Sequence, residues 1–203
     1  MRSCRYLVVV ACVVAGLAVS ASAKEKKFSV GAKVWNSAPT YAADSTWMYG
    51  GLFSVDFNQQ LWLSGQYLYG KRDYENGARE NEHDAEGVFG TSFKFIDVGG
   101  GVRYVKFQSD TWNVNAYGPM CYLGAGTPFG DLPIGWYASG AWMFYDFGDW
   151  DATDDKFEHF NLEGGLSFVN DYVIATLGYR YKDYYKQSDY KEKGFTGSVS
   201  YRF

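Results

Sequence analysis

The last ten residues, Gly194-Phe195-Thr196-Gly197-Ser198-Val199-Ser200-Tyr201-Arg202-Phe203, alternate without a break. Because successive side chains of a strand point to opposite faces, Phe195, Gly197, Val199, Tyr201 and Phe203 share one face. Thr196, Ser198, Ser200 and Arg202 share the other. One side of this strand wants an apolar surrounding and the other wants water or polar side chains. The chain stops on an aromatic residue.

Working outward, the same theme repeats along the chain: alternating segments of about ten residues separated by polar breaks. Phe28, Val30, Ala32 and Val34 alternate with Ser29, Gly31, Lys33 and Trp35. Trp47 to Phe57 and Leu61 to Tyr69 form a hairpin across the tight turn Asn58-Gln59-Gln60. A charged stretch from Asp73 to Glu86, containing Asn76-Gly77, reads as a long loop. Phe89, Thr91, Phe93 and Phe95 alternate next, and a turn is expected near Asp97–Gly99, where three glycines follow one another. Further strands are expected over 112–125, 134–146, 157–169, 172–184 and 194–203, with a tight turn at Asn170-Asp171. The count is ten. Fusing 87–107 into one strand gives nine, but single-chain bacterial barrels have even strand numbers, so ten stands, with eight as the alternative.

The N-terminus reads as a secretory leader over residues 1–23. Arg2 and Arg5 supply the positive start, Tyr6 to Val19 the apolar stretch, and Ala21-Ser22-Ala23 an A-x-A cleavage site. Cleavage after Ala23 leaves residues 24–203 as a single domain. Val9-Val10-Ala11-Cys12 loosely resembles a lipobox but lacks its usual leucine. The full chain carries 19 basic and 23 acidic residues; losing two arginines leaves 17 against 23, or −6. That balance argues against a nucleic-acid partner. Cys121 alone survives cleavage, so an internal disulfide framework is ruled out for the mature chain. Aromatics make up 20% of the residues, yet no second apolar stretch reaches the length of a membrane helix, which points to membrane-crossing strands.

The C-terminal strand resembles the closing strand of bacterial outer-membrane β-barrels, and the whole pattern resembles the small OmpA/OmpX-like barrels. The resemblance implies an all-β, up-and-down antiparallel transmembrane barrel in the cell outer membrane of a Gram-negative bacterium. It implies contact with outer-membrane lipid and lipopolysaccharide, and recognition by the barrel-assembly machinery through Val199, Tyr201 and Phe203. A monomer without cofactors is expected. With a periplasmic N-terminus, the breaks at 58–60, 97–99, 126–133 and 170–171 fall inside. Those at 37–45, 73–86, 147–156 and 185–193 fall outside, with a short outer turn near Ser109-Asp110. Short inside and long outside is the asymmetry of such barrels.

Charge decides which face is which. Lys33, Asp56, Gln66, Glu163 and Arg180, together with Arg103, lie opposite the aromatic face, and a charge facing lipid at mid-membrane costs roughly 2–4 kcal/mol. They are expected to point into the lumen. There they serve either as a paired network that fills a narrow barrel or as the lining of a small diffusion pore. Trp47, Tyr49, Tyr67, Tyr69, Tyr179 and Tyr181 fall near strand ends on the apolar face, where interfacial girdles sit. Asp149, Asp151, Asp154 and Asp155 concentrate acid in one outer loop and could hold a hard cation, though the ligand spacing of a calcium loop is broken at Asp154 and Phe160. Of the two histidines, His83 precedes Asp84 and His159 follows the acidic loop. Omptin-type outer-membrane proteases use Asp–His pairs, and lipid A deacylases a histidine and serine two apart, which is absent here. No catalysis is expected; a structural or interaction role is, with the pore as alternative and a rim hydrolase a distant third.

Overall fold

The computed structural model describes residues 27–40, 45–73, 79–109, 113–148, 158–185 and 190–203. Ten strands follow one another: β1 (Lys27–Pro39), β2 (Thr46–Asp56), β3 (Leu61–Asp73), β4 (Arg79–Phe93), β5 (Ile96–Ser109), β6 (Asn113–Pro128), β7 (Ile134–Met143), β8 (Glu158–Val169), β9 (Val173–Tyr185) and β10 (Lys191–Arg202). Each pairs antiparallel with its sequence neighbours, and β1 also pairs with β10, so the sheet closes. The closing register sets Ala32 opposite Val199 and Lys33 opposite Ser198. Ten strands, not eight, form the barrel.

Alternation decides the two surfaces. On β10, Phe195 and Phe203 are 69% and 68% exposed, while Thr196 and Ser200 are buried. The apolar face points away from the barrel axis throughout. Both ends of the described chain lie at one rim with the turns at 57–60, 94–95, 129–133 and 170–172; the other connections, at least as long except for 110–112 between β5 and β6, lie at the opposite rim. Two short turns are closed by asparagine side chains. Asn58 Oδ1 accepts from the amides of Gln60 and Leu61, each at 2.8 Å, and Asn170 Oδ1 from those of Tyr172 and Val173 at 2.9 and 2.7 Å.

Three expectations are corrected. The turn between β4 and β5 is Lys94-Phe95, not Asp97–Gly99. Lys94 takes up the left-handed conformation (φ 59°), and Ser92 Oγ bonds Asp97 Oδ1 across the hairpin at 2.6 Å. Gly99 to Gly101 are strand residues, and at Gly99 and Gly101 the missing side chain lets β4 approach: a Cβ at Gly101 would stand 1.9 Å from the Gly87 carbonyl oxygen. The second correction concerns 79–86, which is strand and not loop; 74–78, with Asn76-Gly77, lie outside the described residues. β3 runs to Asp73 and β4 starts at Arg79, with Glu80, Glu82, Asp84 and Glu86 on its inward face. Thirdly, the stretch expected as a loop over 185–193 carries strand at both ends, because Tyr185 belongs to β9 and β10 begins at Lys191. In both stretches the charges that suggest a solvated loop include carboxylates facing the barrel's own interior, which is the polar medium of these strands.

Candidate functional site: the ion-paired lumen

The luminal half toward the long-connection rim is filled by charged side chains stacked in layers. In the lowest layer Lys33 Nζ donates to Glu163 Oε2 at 2.6 Å and to Gln66 Oε1 at 3.0 Å. Gln66 Nε2 passes the chain to Glu86 Oε1 at 2.6 Å, and Arg103 Nη1 donates to Glu86 Oε2 at 3.0 Å. Four of the residues expected in the lumen thereby join through one that was not: Lys33, Gln66, Arg103 and Glu163, through Glu86. Arg180 joins through Glu163 at 4.0 Å.

Asp84 is the hub of the next layer. Arg103 Nη2 donates to both of its oxygens at 2.8 Å, Arg180 Nη2 to Oδ2 at 3.3 Å, and Lys182 Nζ lies 2.5 Å from Oδ2. Arg180 Nε also donates to Asn161 Oδ1 at 2.9 Å. Above, Lys182 Nζ reaches Glu82 Oε1 at 3.0 Å and Glu192 Oε2 at 3.6 Å. The top layer centres on Arg72, which bonds Glu82, Glu192 and Tyr190 and reaches Glu80 Oε1 at 3.3 Å. Tyr190 lies outside the strands; burial and the nearby Glu192 carboxylate push its phenol well above the ordinary value, so it keeps its proton and donates to Glu192 Oε1 at 3.0 Å.

Aromatic rings occupy the space between the ions. Trp35 carries Lys182 Nζ 4.5 Å and the Arg180 guanidinium 5.1 Å from its ring centroid, and Arg72 lies 6.0 Å from Phe107. His159 lies against Tyr184, tilted by 44° with ring centroids 4.6 Å apart, and Met48, Leu68 and Met143 complete the filling. Topology shows how completely this spans the barrel. In the closed order four strands separate β4 from β9 on either side, so the bonds from Glu82 and Asp84 to Lys182 and Arg180 cross its full diameter. Arg72, Arg103, Arg180, Lys182, Glu82, Asp84 and Glu192 are each at most 1% exposed. Toward the short-turn rim the lumen is lined by hydroxyls, with Ser29 bonded to Ser54 at 2.8 Å and Thr176 to Ser198 at 2.7 Å, and by Trp62 against Tyr122.

Other expected residues fall elsewhere. Asp56 faces inward at the far end of β2, opposite Lys27 and Trp62. It lies six residues, roughly 20 Å of strand, from the Lys33 layer. Asp149, Asp151, Asp154 and Asp155, like the leader 1–23, lie outside the described residues. Val199, Tyr201 and Phe203 line the outward face of β10, with Phe203 stacked on Phe28 at 5.9 Å and edge-on to Tyr201 at 4.9 Å. The histidines stand on opposite sides of the wall, His159 inside and His83 outside, where Tyr67 Oη lies 2.7 Å from its Nδ1. They cannot form one site. The network members not anticipated are Arg72, Glu80, Glu82, Asp84, Glu86, Lys182 and Glu192. Their signal is nonetheless in the sequence, as carboxylates at 80, 82, 84 and 86 and cations at 180 and 182, with the strict period of a strand face.

An antiparallel sheet that closes on itself, apolar outside and ion-paired inside, inverts the pattern of a soluble barrel. Its backbone groups are paired within the sheet and its charges are turned from the surroundings. This is a transmembrane β-barrel. No family model matches the sequence, and no curated protein matches it. Among solved structures, the translocator domain of the autotransporter NalP from Neisseria meningitidis is similar over 100% of this chain and 96% of that one, at 12% identity and a TM-score of 0.51. The transport unit of AIDA-I from Escherichia coli is matched at 8% identity over 91% of this chain and 92% of its own, with a TM-score of 0.41. The N-terminal barrel domain of Pseudomonas aeruginosa OprF is matched at 11% over 86% and 97%, with a TM-score of 0.35. At such identities the likeness is one of fold, and it is the NalP domain that carries it.

Proposed function

We propose that this chain is a closed envelope barrel: exported by its leader, inserted in the outer membrane of a Gram-negative cell with the longer connections outward, and structural or interactive in role. It carries out no chemistry and conducts no solute. One observation carries this reading, the layered ion pairs that bridge β4 to β9 across the barrel with their side chains withdrawn from water. A pore needs mobile, hydrated charges along its wall, and here each carboxylate of the hub layers is held by cations from facing strands. The likeness in fold to the NalP translocator domain is consistent with an outer-membrane setting.

The test is conductance of the refolded chain in a planar lipid bilayer, after a gel shift on boiling has shown that the barrel is folded. Silence from folded protein is the expected result. Discrete conductance steps that change with Glu163→Gln would establish the narrow pore in its place.

A further inference from the structure

The outward face of the strands is free of charge along most of its height. Among the described strand residues, outward charges occur only at the long-connection rim: Lys71, Asp73, Arg79, Lys106, Glu158, Asp183, Lys191 and Lys193. On β9 and β10, Asp183 and Lys191 are partnered at home, for Asp183 lies 3.6 Å from Lys191 and accepts from Tyr181 at 2.7 Å. At the tip of β3 and β4, Asp73 takes Arg79 at 3.2 Å. β3, β4 and β5 differ. Register places His83 beside Lys106 and Tyr69, and Lys71 beside Asn81 one rung higher. Between them the outward face presents no carboxylate, and neither Lys71 nor Lys106 is ion-paired among the described residues.

We infer that Lys71, His83 and Lys106 form a docking surface on the outer wall of β3–β5 for the phosphate headgroup of an outer-leaflet glycolipid. This rests on the membrane reading above. Depth supports it: Tyr67 lies one rung below His83 and exposes its ring, as an interfacial girdle residue does, so the three basic groups stand at headgroup level, just beyond the hydrocarbon. The acidic chain as a whole repels anions, yet this patch is cationic, and its two lysines are two strands and one rung apart, about 12 Å between backbones, within reach of a bisphosphorylated headgroup. His83 is held in place by Tyr69, 5.0 Å between ring centroids, and by Tyr67. In the tautomer in which Nδ1 accepts from Tyr67, the ring carries its proton on Nε2 and can offer it to a phosphate oxygen. Tyr69 Oη donates to Asn81 at 3.0 Å, which leaves the amide nitrogen of Asn81 as a further donor beside Lys71.

The experiment is native mass spectrometry of the full chain, refolded and released from phosphatidylcholine nanodiscs with and without bisphosphorylated lipid A. Gel mobility before and after boiling is checked first; failure to fold or insert there strikes the membrane reading itself, before any lipid is scored. The wild type should retain lipid A over phosphatidylcholine. K71Q/K106Q should lower retention about tenfold, since each basic residue near an anionic surface contributes a few-fold, while the charge-matched K191Q/K193Q should retain it like the wild type. Equal retention by both variants overturns the proposal, as does equal retention of dephosphorylated lipid. Displacement by millimolar inorganic phosphate would mark a site for free phosphate and overturn the lipid assignment; persistence in phosphate supports it.

Discussion

Asp84 is the residue on which the interior turns, because it faces three cations from two other strands, Arg103, Arg180 and Lys182. Removing one partner of a buried pair leaves a charge that neither water nor protein compensates. Asp84→Ala should therefore lower unfolding stability by about 3–5 kcal/mol, read as a shift of the urea midpoint in lipid vesicles followed by tryptophan fluorescence. Asp56→Asn is the internal contrast. That carboxylate sits at the far end of β2, outside the layers, and its loss should cost less than about 1 kcal/mol. Equal effects at the two positions would mean that the layers share their charge with water. Lys94 is a residue of a different kind, strained in its backbone rather than in its surroundings. An L-residue in the left-handed region gives up about 1 kcal/mol or more that glycine does not. Lys94→Gly should thus raise the urea midpoint slightly, and Lys94→Val should lower it.

Among the elements, β4 contributes most to the lumen and was the least legible. It supplies Glu80, Glu82, Asp84 and Glu86, which together contact every luminal cation named above except Lys33, and Lys33 is reached through Gln66. Excising 79–86 should accordingly abolish the boil-sensitive folded band, whereas a loop excision would spare it. The outward half of the fold could be read from sequence because lipid demands an unbroken apolar face, and alternation in β1, β2, β3 and β10 announces it. Lys33, Gln66, Glu163 and Arg180 were legible for the same reason, each standing opposite an aromatic face. In the outer half of β4 the outward face is itself polar, with Asn81 and His83 at the rim, so the contrast that marks a membrane strand fades. Period alone remains, in the carboxylates two apart. The turn at Lys94-Phe95 was hidden for a second reason: no residue there favours a positive φ, while the three glycines nearby do. Their use in a close approach of strands is a tertiary demand that composition does not display.

Across the whole molecule, five luminal cations, Lys33, Arg72, Arg103, Arg180 and Lys182, meet six carboxylates, Glu80, Glu82, Asp84, Glu86, Glu163 and Glu192. Near-neutrality matters because the field of a net charge cannot be dissipated in a narrow interior surrounded by hydrocarbon. It also separates two kinds of barrel by a bulk measurement. Screening acts through mobile ions within a Debye length of about 8–10 Å in ordinary buffers, and reaches buried pairs only weakly. If salt solution filled the lumen, raising sodium chloride from 0.05 to 1 M should weaken every pair in it and lower the urea midpoint progressively. In a lumen packed as this one is, the midpoint should stay nearly constant over that range, after correction for the general effect of salt on apolar burial with a charge-free lumen variant. Asp84→Ala should break the constancy, since the uncompensated cations would draw in water and anions and make stability depend on salt. A wild-type midpoint that falls with salt as steeply as that of the variant would show ions entering the layers, and the closed barrel would give way to a conducting one.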